Sequence, residues 1–363
     1  MESVATSPGT RRRNTILHGI LGLALAAILL GILFRETDWT QVAEAVRELR
    51  LGWLLVAQLL LWASFFARAQ RWTYVVRSAH PASYRSLFSA SQIGILINFM
   101  VPARLGELVR ARILSRLTGL EMATSLATIA LDNLADVIGL MAILLLSALA
   151  LAGDVDATFA AGTLGNTEPL VISSDLVRAA GLAVATVVAL SALVLVVLYA
   201  WRDRVLEGIR RLVEPVSPAL AGRVTAVLAD LVRGMRVLRS SSDVVRVTLW
   251  SLVTWGCGVG AVGATLVAFA IQFPWYTPFL MLSLIAVAIA VPLTPGTVGQ
   301  FHLPAVAGLL IGVPELSPAR AKAVAIVDHL STLLPVAVLG IYCILRERLG
   351  VLELVRNAQT RTD

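Results

Sequence analysis

Long apolar runs dominate the chain. Six of them reach the roughly 20 residues that a helix needs to cross about 30 Å of hydrocarbon. They cover residues 15–34, 52–72, 122–152, 177–200, 247–271 and 323–345. Their length predicts about six full transmembrane helices and hence an all-α polytopic membrane protein.

Two further apolar segments are too short or too broken to follow the same rule. Residues 87–101 are apolar only as far as Pro102, and residues 276–312 are interrupted by Pro295 and Gly296. The arm after this interruption would rise only about 20 Å at 1.5 Å per residue, which is less than the hydrocarbon thickness. Both segments favour broken or re-entrant helices, and eight plain spans remain the alternative.

The distribution of positive charge favours two oppositely directed re-entrant elements. Lysine and arginine accumulate on the cytoplasmic side of membrane proteins. The segments 1–14, 68–121, 201–246 and 346–363 carry 24 of the 30 Lys and Arg residues. Both termini are then cytoplasmic, provided that the first short segment leaves and returns on the cytoplasmic side and the second does so on the outer side.

The composition excludes several other classes of protein. The chain is 58% hydrophobic and 15% charged, with a mean hydropathy of +0.82, whereas soluble domains carry about 25% charge. The basic excess does not indicate a nucleic-acid partner, because the arginines form bands between apolar segments, where they meet anionic lipid. Cys257 and Cys343 lie singly in apolar runs. We therefore expect reduced cysteines, no metal and no cofactor.

The same pattern predicts a single transmembrane domain over residues 15–348, between cytoplasmic tails at 1–14 and 349–363. Residues 203–239 place apolar side chains on one helical stripe and arginines on the other. Such a helix is expected to lie flat in the cytoplasmic interface. The sequence leaves homo-oligomerisation open.

A group of polar and charged residues follows the first short segment. An ionisable side chain in hydrocarbon costs about 2.5 to 3.5 kcal/mol, so it needs a partner or a function. Arginine presents a planar fork of donors that matches phosphate oxygens, and a glutamate one turn away can orient it. The segment predicts a phosphate clamp with a hinge at Pro102 and Gly106, and an interfacial anchor is the alternative. The candidate binding residues are Asn98, Arg104, Glu107, Arg110 and Arg112.

Two aspartates lie one helical turn apart in the run 122–152, Asp132 and Asp136. That run contains no lysine or arginine, so the carboxylates either meet the arginines of the clamp or are protonated. Apolar surroundings favour the neutral form of a carboxylate, which would suit a proton carrier. Alternatively, both side chains lie close enough to the cytoplasm to be hydrated.

The break in 276–312 is the third polar feature. Prolines and glycines end one helix there, and free amides at the start of the next half-helix would attract anions. Thr294 and Thr297 are placed to cap it. Asp328 and His329 lie side by side in the last span, where a histidine can carry a proton near neutral pH. The alternative is a structural hinge with a histidine bonded to a loop carbonyl. The candidate residues are Thr294, Gly296, Thr297, Gly299, His302, Asp328 and His329, with Pro295 as the hinge.

Three of these motifs occur together along the chain. They are Pro102-x-Arg104-x-Gly106-Glu107-x-x-Arg110, Pro295-Gly296-x-x-Gly299, and the stretch 329–335 with Gly340. They resemble signatures of the lysylphosphatidylglycerol synthase transmembrane region family, also described as flippase-like integral membrane proteins. The resemblance covers about residues 15–348. It implies a multi-pass protein of a bacterial or archaeal inner membrane that moves, or helps to move, lipids between leaflets.

The chain departs from the pattern of this family in two places. Asp132-Asn133 and Asp136 stand where members often carry Glu-Arg followed by Asp, and His302 stands where many have an acid. Either change could alter the preference for headgroup charge, so the resemblance does not make an aminoacylated lipid the expected substrate. Some eighteen residues follow the last span, so we do not expect lysyl transfer.

We therefore predict a lipid translocase, flippase or scramblase-like, that moves a phosphate-bearing headgroup between leaflets through a cavity lined by re-entrant helices. Its expected partners are membrane lipids with an anionic or phosphate-bearing headgroup. The alternative is a non-transporting accessory that docks a lipid-modifying enzyme or a glycosyltransferase through residues 201–246. An enzyme is not expected, because neither a nucleophile with a base nor a phosphate loop is evident in the sequence.

Overall fold

The computed structural model describes residues 8–77, 80–101, 105–151, 157–159, 170–172, 202–215 and 241–349, with a few single positions between 179 and 222. Several predictions lie outside this part of the chain. They concern the span 177–200, most of the amphipathic segment 203–239, and the residues Pro102 and Arg104.

Helices make up nearly all of the described chain. In chain order they are α1 (Pro8–Phe34), α2 (Trp39–Arg47), α3 (Leu51–Val76), α4 (Tyr84–Met100), α5 (Leu105–Thr118), α6 (Met122–Ala150), α7 (Arg202–Val213), α8 (Ser241–Ala268), α9 (Thr277–Ala288), α10 (His302–Gly312) and α11 (Pro318–Arg346). A 3-10 turn, Pro295–Thr297, lies between α9 and α10. The strands β1 (Ala157–Phe159) and β2 (Leu170–Ile172) pair antiparallel, with Ala157 opposite Ile172. The helical architecture is confirmed, and this short strand pair was not predicted.

Four long helices have the length and composition of membrane spans. Within the described ranges these are α3, α6, α8 and α11, and at 1.5 Å per residue each is longer than about 30 Å of hydrocarbon. They coincide with four of the six predicted spans. The side chains of α1 that the structure describes form an apolar stretch, Leu21–Phe34, that is shorter than these four helices. Leucines on the outside of α3 and α8, such as Leu59 and Leu252, are largely exposed, as expected for a surface that faces lipid.

The helices α4 and α5 form an antiparallel pair, called here the first hairpin. Near its tip, Asn98 Oδ1 accepts a hydrogen bond from the amide of Gly106 at 2.8 Å. Farther from the tip, a Cβ atom on Gly94 would lie 2.8 Å from both the carbonyl oxygen of Gly106 and Cβ of Arg110. The two backbones therefore approach too closely for a side chain at Gly94.

The helices α9 and α10 form a second antiparallel pair, called here the second hairpin. A Cβ atom on Gly308 would lie 2.9 Å from Cα of Met281, and one on Gly312 would lie 2.5 Å from Oγ1 of Thr277. Near the tip, the side-chain amide of Gln300 donates to the carbonyl of Val291 at 2.7 Å. Both hairpins thus rely on glycines for close packing of their arms.

The long helix α11 shows how the hairpins are oriented. The base of the first hairpin lies at the C-terminal end of α11, where Ser89 donates to Glu347 at 2.7 Å, and Leu96 packs on Gly340 closer to the middle. The base of the second hairpin adjoins the N-terminal end of α11, while its tip reaches His329 in the middle. The 3-10 turn at this tip also contacts α4. The two hairpins therefore point toward each other from opposite ends of α11. Whether they are re-entrant or cross the membrane as plain spans stays a prediction.

Candidate functional site

A buried network of charges lies where α3, α5 and α6 meet. Arg71 reaches the carboxylate of Asp132 through Nε at 2.9 Å and Nη2 at 2.8 Å. From the other side, Nη2 of Arg110 donates to Asp132 Oδ2 at 2.7 Å. The side chains of Arg71 and Asp132 are 0% exposed. A fully buried carboxylate is thus held between two guanidinium groups, and the attraction between the opposite charges offsets the cost of removing them from water.

The network continues toward a less buried end. Nη1 of Arg71 donates to Asp136 Oδ1 at 2.8 Å, and Arg68 Nη2 lies 3.2 Å from Asp136 Oδ2. The side chain of Arg68 is 32% exposed. Among the described residues, three arginines share two aspartates, so this network carries one net positive charge. Arg68 is the most exposed of the three arginines.

Asp132 meets Arg110 of the predicted clamp, which was one possibility derived from the sequence, whereas Asp136 meets Arg68 and Arg71 instead. Arg110 was among the expected partners, but Arg68 and Arg71 were assigned to a cytoplasmic band. Their pairing with the aspartates was missed because α3 continues to Val76 and brings both arginines against α6. The cytoplasmic side of this band stays a prediction. The spacing of these arginines, one helical turn apart at the end of an apolar run, is the signal that could have revealed the pairing.

Arg110 is fixed on α5 by a second interaction. Its guanidinium lies 3.7 Å from the ring centroid of Trp72, which is fully buried. This cation–π contact and the ion pair with Asp132 occupy the guanidinium on two sides. Arg112 is exposed, because residues two apart on a helix face opposite ways. Arg110 and Arg112 therefore do not form the predicted phosphate clamp together.

The remaining clamp residues have other positions. Asn98 and Gly106 join the two arms of the first hairpin through their hydrogen bond. Glu107 is half-buried in the first turn of α5. Pro102 and Arg104 lie outside the described residues, so their predicted roles as hinge and clamp stay predictions.

Seven backbone amides around the break already have hydrogen-bond acceptors. Those of Thr297, Val298, Gly299, Phe301, His302, Leu303 and Ala305 all donate to acceptors within residues 294–302. Position 304 is a proline and has no amide hydrogen. Neither predicted cap forms, since Thr294 makes no side-chain cap and the hydroxyl of Thr297 donates to the carbonyl of Gly296 at 2.7 Å. The amides at the start of α10, those of His302, Leu303 and Ala305, are therefore not free to attract an anion, which contradicts the prediction for this half-helix.

Two histidines hold the tip of the second hairpin. Nε2 of His329 donates to the carbonyl of Gly296 at 2.9 Å, and Nδ1 of His302 accepts from the amide of Gly299 at 3.3 Å. The ring of Phe301 stacks on His329 at 4.6 Å between centroids, and the two imidazoles lie 4.7 Å apart, edge to face. This is the geometry of the alternative derived from the sequence, a hinge with a histidine bonded to a loop carbonyl.

A cavity of about 270 Å³ lies between the two hairpins. Ile95 and Phe99 line it from the first hairpin, and Ile285 and Phe301 line it from the second. The other walls come from α3, α8 and α11. The charged residues among those that line it are Arg68 and Asp328. Asp328 is 4% exposed and accepts a hydrogen bond from Thr265 Oγ1 at 3.3 Å.

A larger and almost entirely apolar cavity, of about 520 Å³, lies between α3, α6 and α8. Trp255 lines both cavities and separates them. Its ring packs directly over Gly139 of α6, so a side chain at that glycine would collide with it. Within the described ranges, no group of three or more His, Cys, Asp or Glu side chains is placed to hold a metal ion.

Known proteins resemble this chain over most of its length. The family described as lysylphosphatidylglycerol synthase TM region matches residues 19–340. A protein of Haloferax volcanii named glycosyltransferase AglD is 26% identical over 343 residues, which covers 89% of this chain and 53% of that protein. The chain thus spans about half the length of this relative. Since the family match extends over nearly the whole chain and includes both hairpins, the chain belongs to the lysylphosphatidylglycerol synthase transmembrane region family.

Proposed function

We propose that the protein is a lipid translocase, flippase or scramblase-like, and that the cavity between its hairpins takes up a phosphate-bearing headgroup. The observation that carries this proposal is the position of Arg68. The side chain of Arg68 lines a cavity that both hairpins also line. It lies at the exposed end of the described network, which carries one net positive charge.

The short helices support a cavity inside the bilayer. The arms of the second hairpin have 12 and 11 residues and rise only about 18 Å, well short of about 30 Å of hydrocarbon. The first hairpin has arms of 17 and 14 residues, which rise about 25 and 21 Å. Tips that meet from opposite sides would end near the midplane. Irregular backbone at that depth is tolerated where it is buried in protein or lines a polar cavity.

The charge network suits Arg68 to bind phosphate. Asp136 holds one side of its guanidinium, and Arg71 in turn holds Asp136. A guanidinium oriented in this way offers its remaining donors to phosphate oxygens without a large loss of side-chain entropy. In this arrangement Arg71 and Arg110 position the binding group and do not contact the lipid.

The acyl chains stay in apolar surroundings during transfer. The cavity of about 520 Å³ adjoins the headgroup cavity at Trp255 and is lined almost entirely by apolar side chains. We propose that it accepts part of an acyl chain while the headgroup passes between the hairpins. This route serves both a driven flippase and a passive scramblase.

The experiment is lipid transfer in reconstituted vesicles, with fluorescent acyl-labelled phospholipids and a membrane-impermeant quencher. Loss of a charge-assisted hydrogen bond costs about 1.5 to 3 kcal/mol, so Arg68→Gln should slow transfer by roughly 10- to 100-fold. Arg68→Lys should recover part of the rate, because it keeps the charge and loses the fork. The matched control is Arg47→Gln, at an exposed arginine of α2. Transfer at the wild-type rate by correctly folded Arg68→Gln would overturn the proposal.

A second candidate function is an accessory that docks a glycosyltransferase. It is favoured by the name of the relative, of which this chain spans about half. In α7, the side chains of Arg210 and Arg211 are exposed and form the surface ion pairs Arg210–Glu214 and Arg211–Glu207. This function predicts that changing Arg210 and Arg211 to alanine weakens association with an enzyme partner, while Arg68→Gln leaves that association intact. Cross-linking in membranes before affinity purification would measure it.

A further inference from the structure

Among the described residues that line the cavity, Asp328 is the one acidic side chain, and it is buried. Within the described part of the chain, its carboxylate accepts from Thr265 Oγ1, a neutral donor, and no ion pair joins it to an arginine or lysine. The chain's single lysine, Lys322, lies on the same helix and donates instead to Thr37 at 3.0 Å. Burying a carboxylate without a cation is costly. A cationic group of a ligand in the cavity would supply the missing partner.

The surroundings of Asp328 also suit a cation. The aromatic side chains Phe65, Phe99, Trp255 and Phe301 line the same cavity. The faces of aromatic rings attract ammonium groups, and the attraction grows when water is excluded. Arg68, by contrast, reaches the cavity from α3, whereas Asp328 reaches it from α11. The cavity therefore presents a positive and a negative group on two different helices.

The cavity is large enough for a compact headgroup. A volume of about 270 Å³ corresponds to about nine water molecules at roughly 30 Å³ each. It has room for a phosphate and a short amine-bearing linker.

From these observations we infer that the headgroup taken up is a compact zwitterion, a phosphate joined through a short linker to an ammonium group, with the phosphate at Arg68 and the ammonium at Asp328. The inference rests on the proposed function and specifies its substrate class. Phosphatidylethanolamine has this headgroup chemistry, and phosphatidylglycerol of equal chain length is its counterpart without the amine.

Two measurements test the inference. The first is binding of phosphatidylethanolamine and phosphatidylglycerol to the purified full chain in mild detergent, and the second is transfer of the same lipids in vesicles. The wild type should prefer phosphatidylethanolamine by about tenfold or more in both, which corresponds to about 1.4 kcal/mol. Asp328→Asn should remove this preference and leave phosphatidylglycerol unaffected. Arg68→Gln should weaken the binding and slow the transfer of both lipids.

The matched control is Glu315→Gln, which removes an exposed acid between α10 and α11. It should leave the binding and transfer of both lipids unchanged. Free phosphoethanolamine is added as a competitor. Competition would assign recognition to the headgroup alone, and its lack would assign it to the membrane-held lipid. If Asp328→Asn does not fold, the preference of the wild type decides by itself.

The outcomes separate the inference from the proposed function. Equal binding and transfer of both lipids by the wild type, or an equal loss of both in Asp328→Asn, would overturn the zwitterion and leave a translocase in place. Selective binding that Asp328→Asn abolishes, without transfer of any lipid, would support the zwitterion and overturn the translocase.

Discussion

The two hairpins share one backbone plan but are fastened to the rest of the protein by different chemistry. Each is antiparallel, packs its arms at glycines and directs its tip toward the middle of α11. The first is fixed through α5, where Arg110 joins Asp132 and Arg71. The second is fixed by neutral hydrogen bonds and ring stacking around His329 and His302.

The difference in chemistry implies a difference in mobility. Breaking a buried ion pair by removing one partner costs about 3 to 5 kcal/mol. A neutral hydrogen bond contributes about 1 kcal/mol, and an aromatic pair about 0.5 to 1.5 kcal/mol. The contacts at the tip of the second hairpin are therefore easier to break and re-form. We expect the first hairpin to stay fixed while the second opens and closes the cavity.

The largest effect is expected from Asp132→Asn, which removes the carboxylate that holds the first hairpin in place. The change leaves Arg71 and Arg110 buried with one fewer carboxylate between them. The free energy of unfolding should fall by about 3 to 5 kcal/mol. Thermal unfolding of the purified protein in detergent, followed by the loss of monodisperse protein, would measure it.

The control for this change is Glu207→Gln, an acid-to-amide change in the exposed pair with Arg211. An exposed pair of this spacing contributes only about 0.3 to 0.5 kcal/mol. If Asp132→Asn were no more destabilising than Glu207→Gln, the ion network would not be what fixes the first hairpin.

A smaller effect is expected from His329→Phe, which weakens the contacts at the tip of the second hairpin. Phenylalanine keeps the stacking on Phe301 and loses the hydrogen bond to Gly296. A loss of about 1 kcal/mol should raise the open population of the second hairpin by roughly fivefold. The labelling rate of a cysteine at Val298, in a background without other cysteines, would report this opening. A cysteine at Val101 on the first hairpin should be labelled as before, and an equal rise at both positions would contradict independent opening.

The sequence predicted the two hairpins because their physical causes are local. Short apolar runs, Pro102 and the Pro295-Gly296 break limit helix length whatever the neighbours are. The opposed directions followed from the bands of positive charge, which act over whole segments. Asp328 and His329 were also found from the sequence, because ionisable residues in an apolar run need an explanation.

The sequence did not predict which charges pair or which amides stay free. Arg71 and Asp132 are 61 positions apart, so their pairing depends on how α3 packs on α6, and neither run shows this alone. The break was expected to offer free amides because glycines and prolines interrupt helices. In the folded chain, the carbonyl of Gly299 and Nδ1 of His302 accept those hydrogen bonds. Long-range packing decided the first point, and turn geometry decided the second.

The smallest effect is expected from Arg112→Ala, which tests the exposed one of two neighbouring arginines on α5. Arg110 is buried against Trp72 and Asp132, whereas Arg112, two residues later, is exposed. Exposed substitutions away from special contacts change stability by less than about 0.5 kcal/mol. Lipid transfer by Arg112→Ala should therefore stay within about twofold of the wild type, since it removes no group that lines the cavity. A tenfold loss in the vesicle assay would place the phosphate at Arg112, one of the clamp residues that the sequence predicts, and would remove Arg68 from that role.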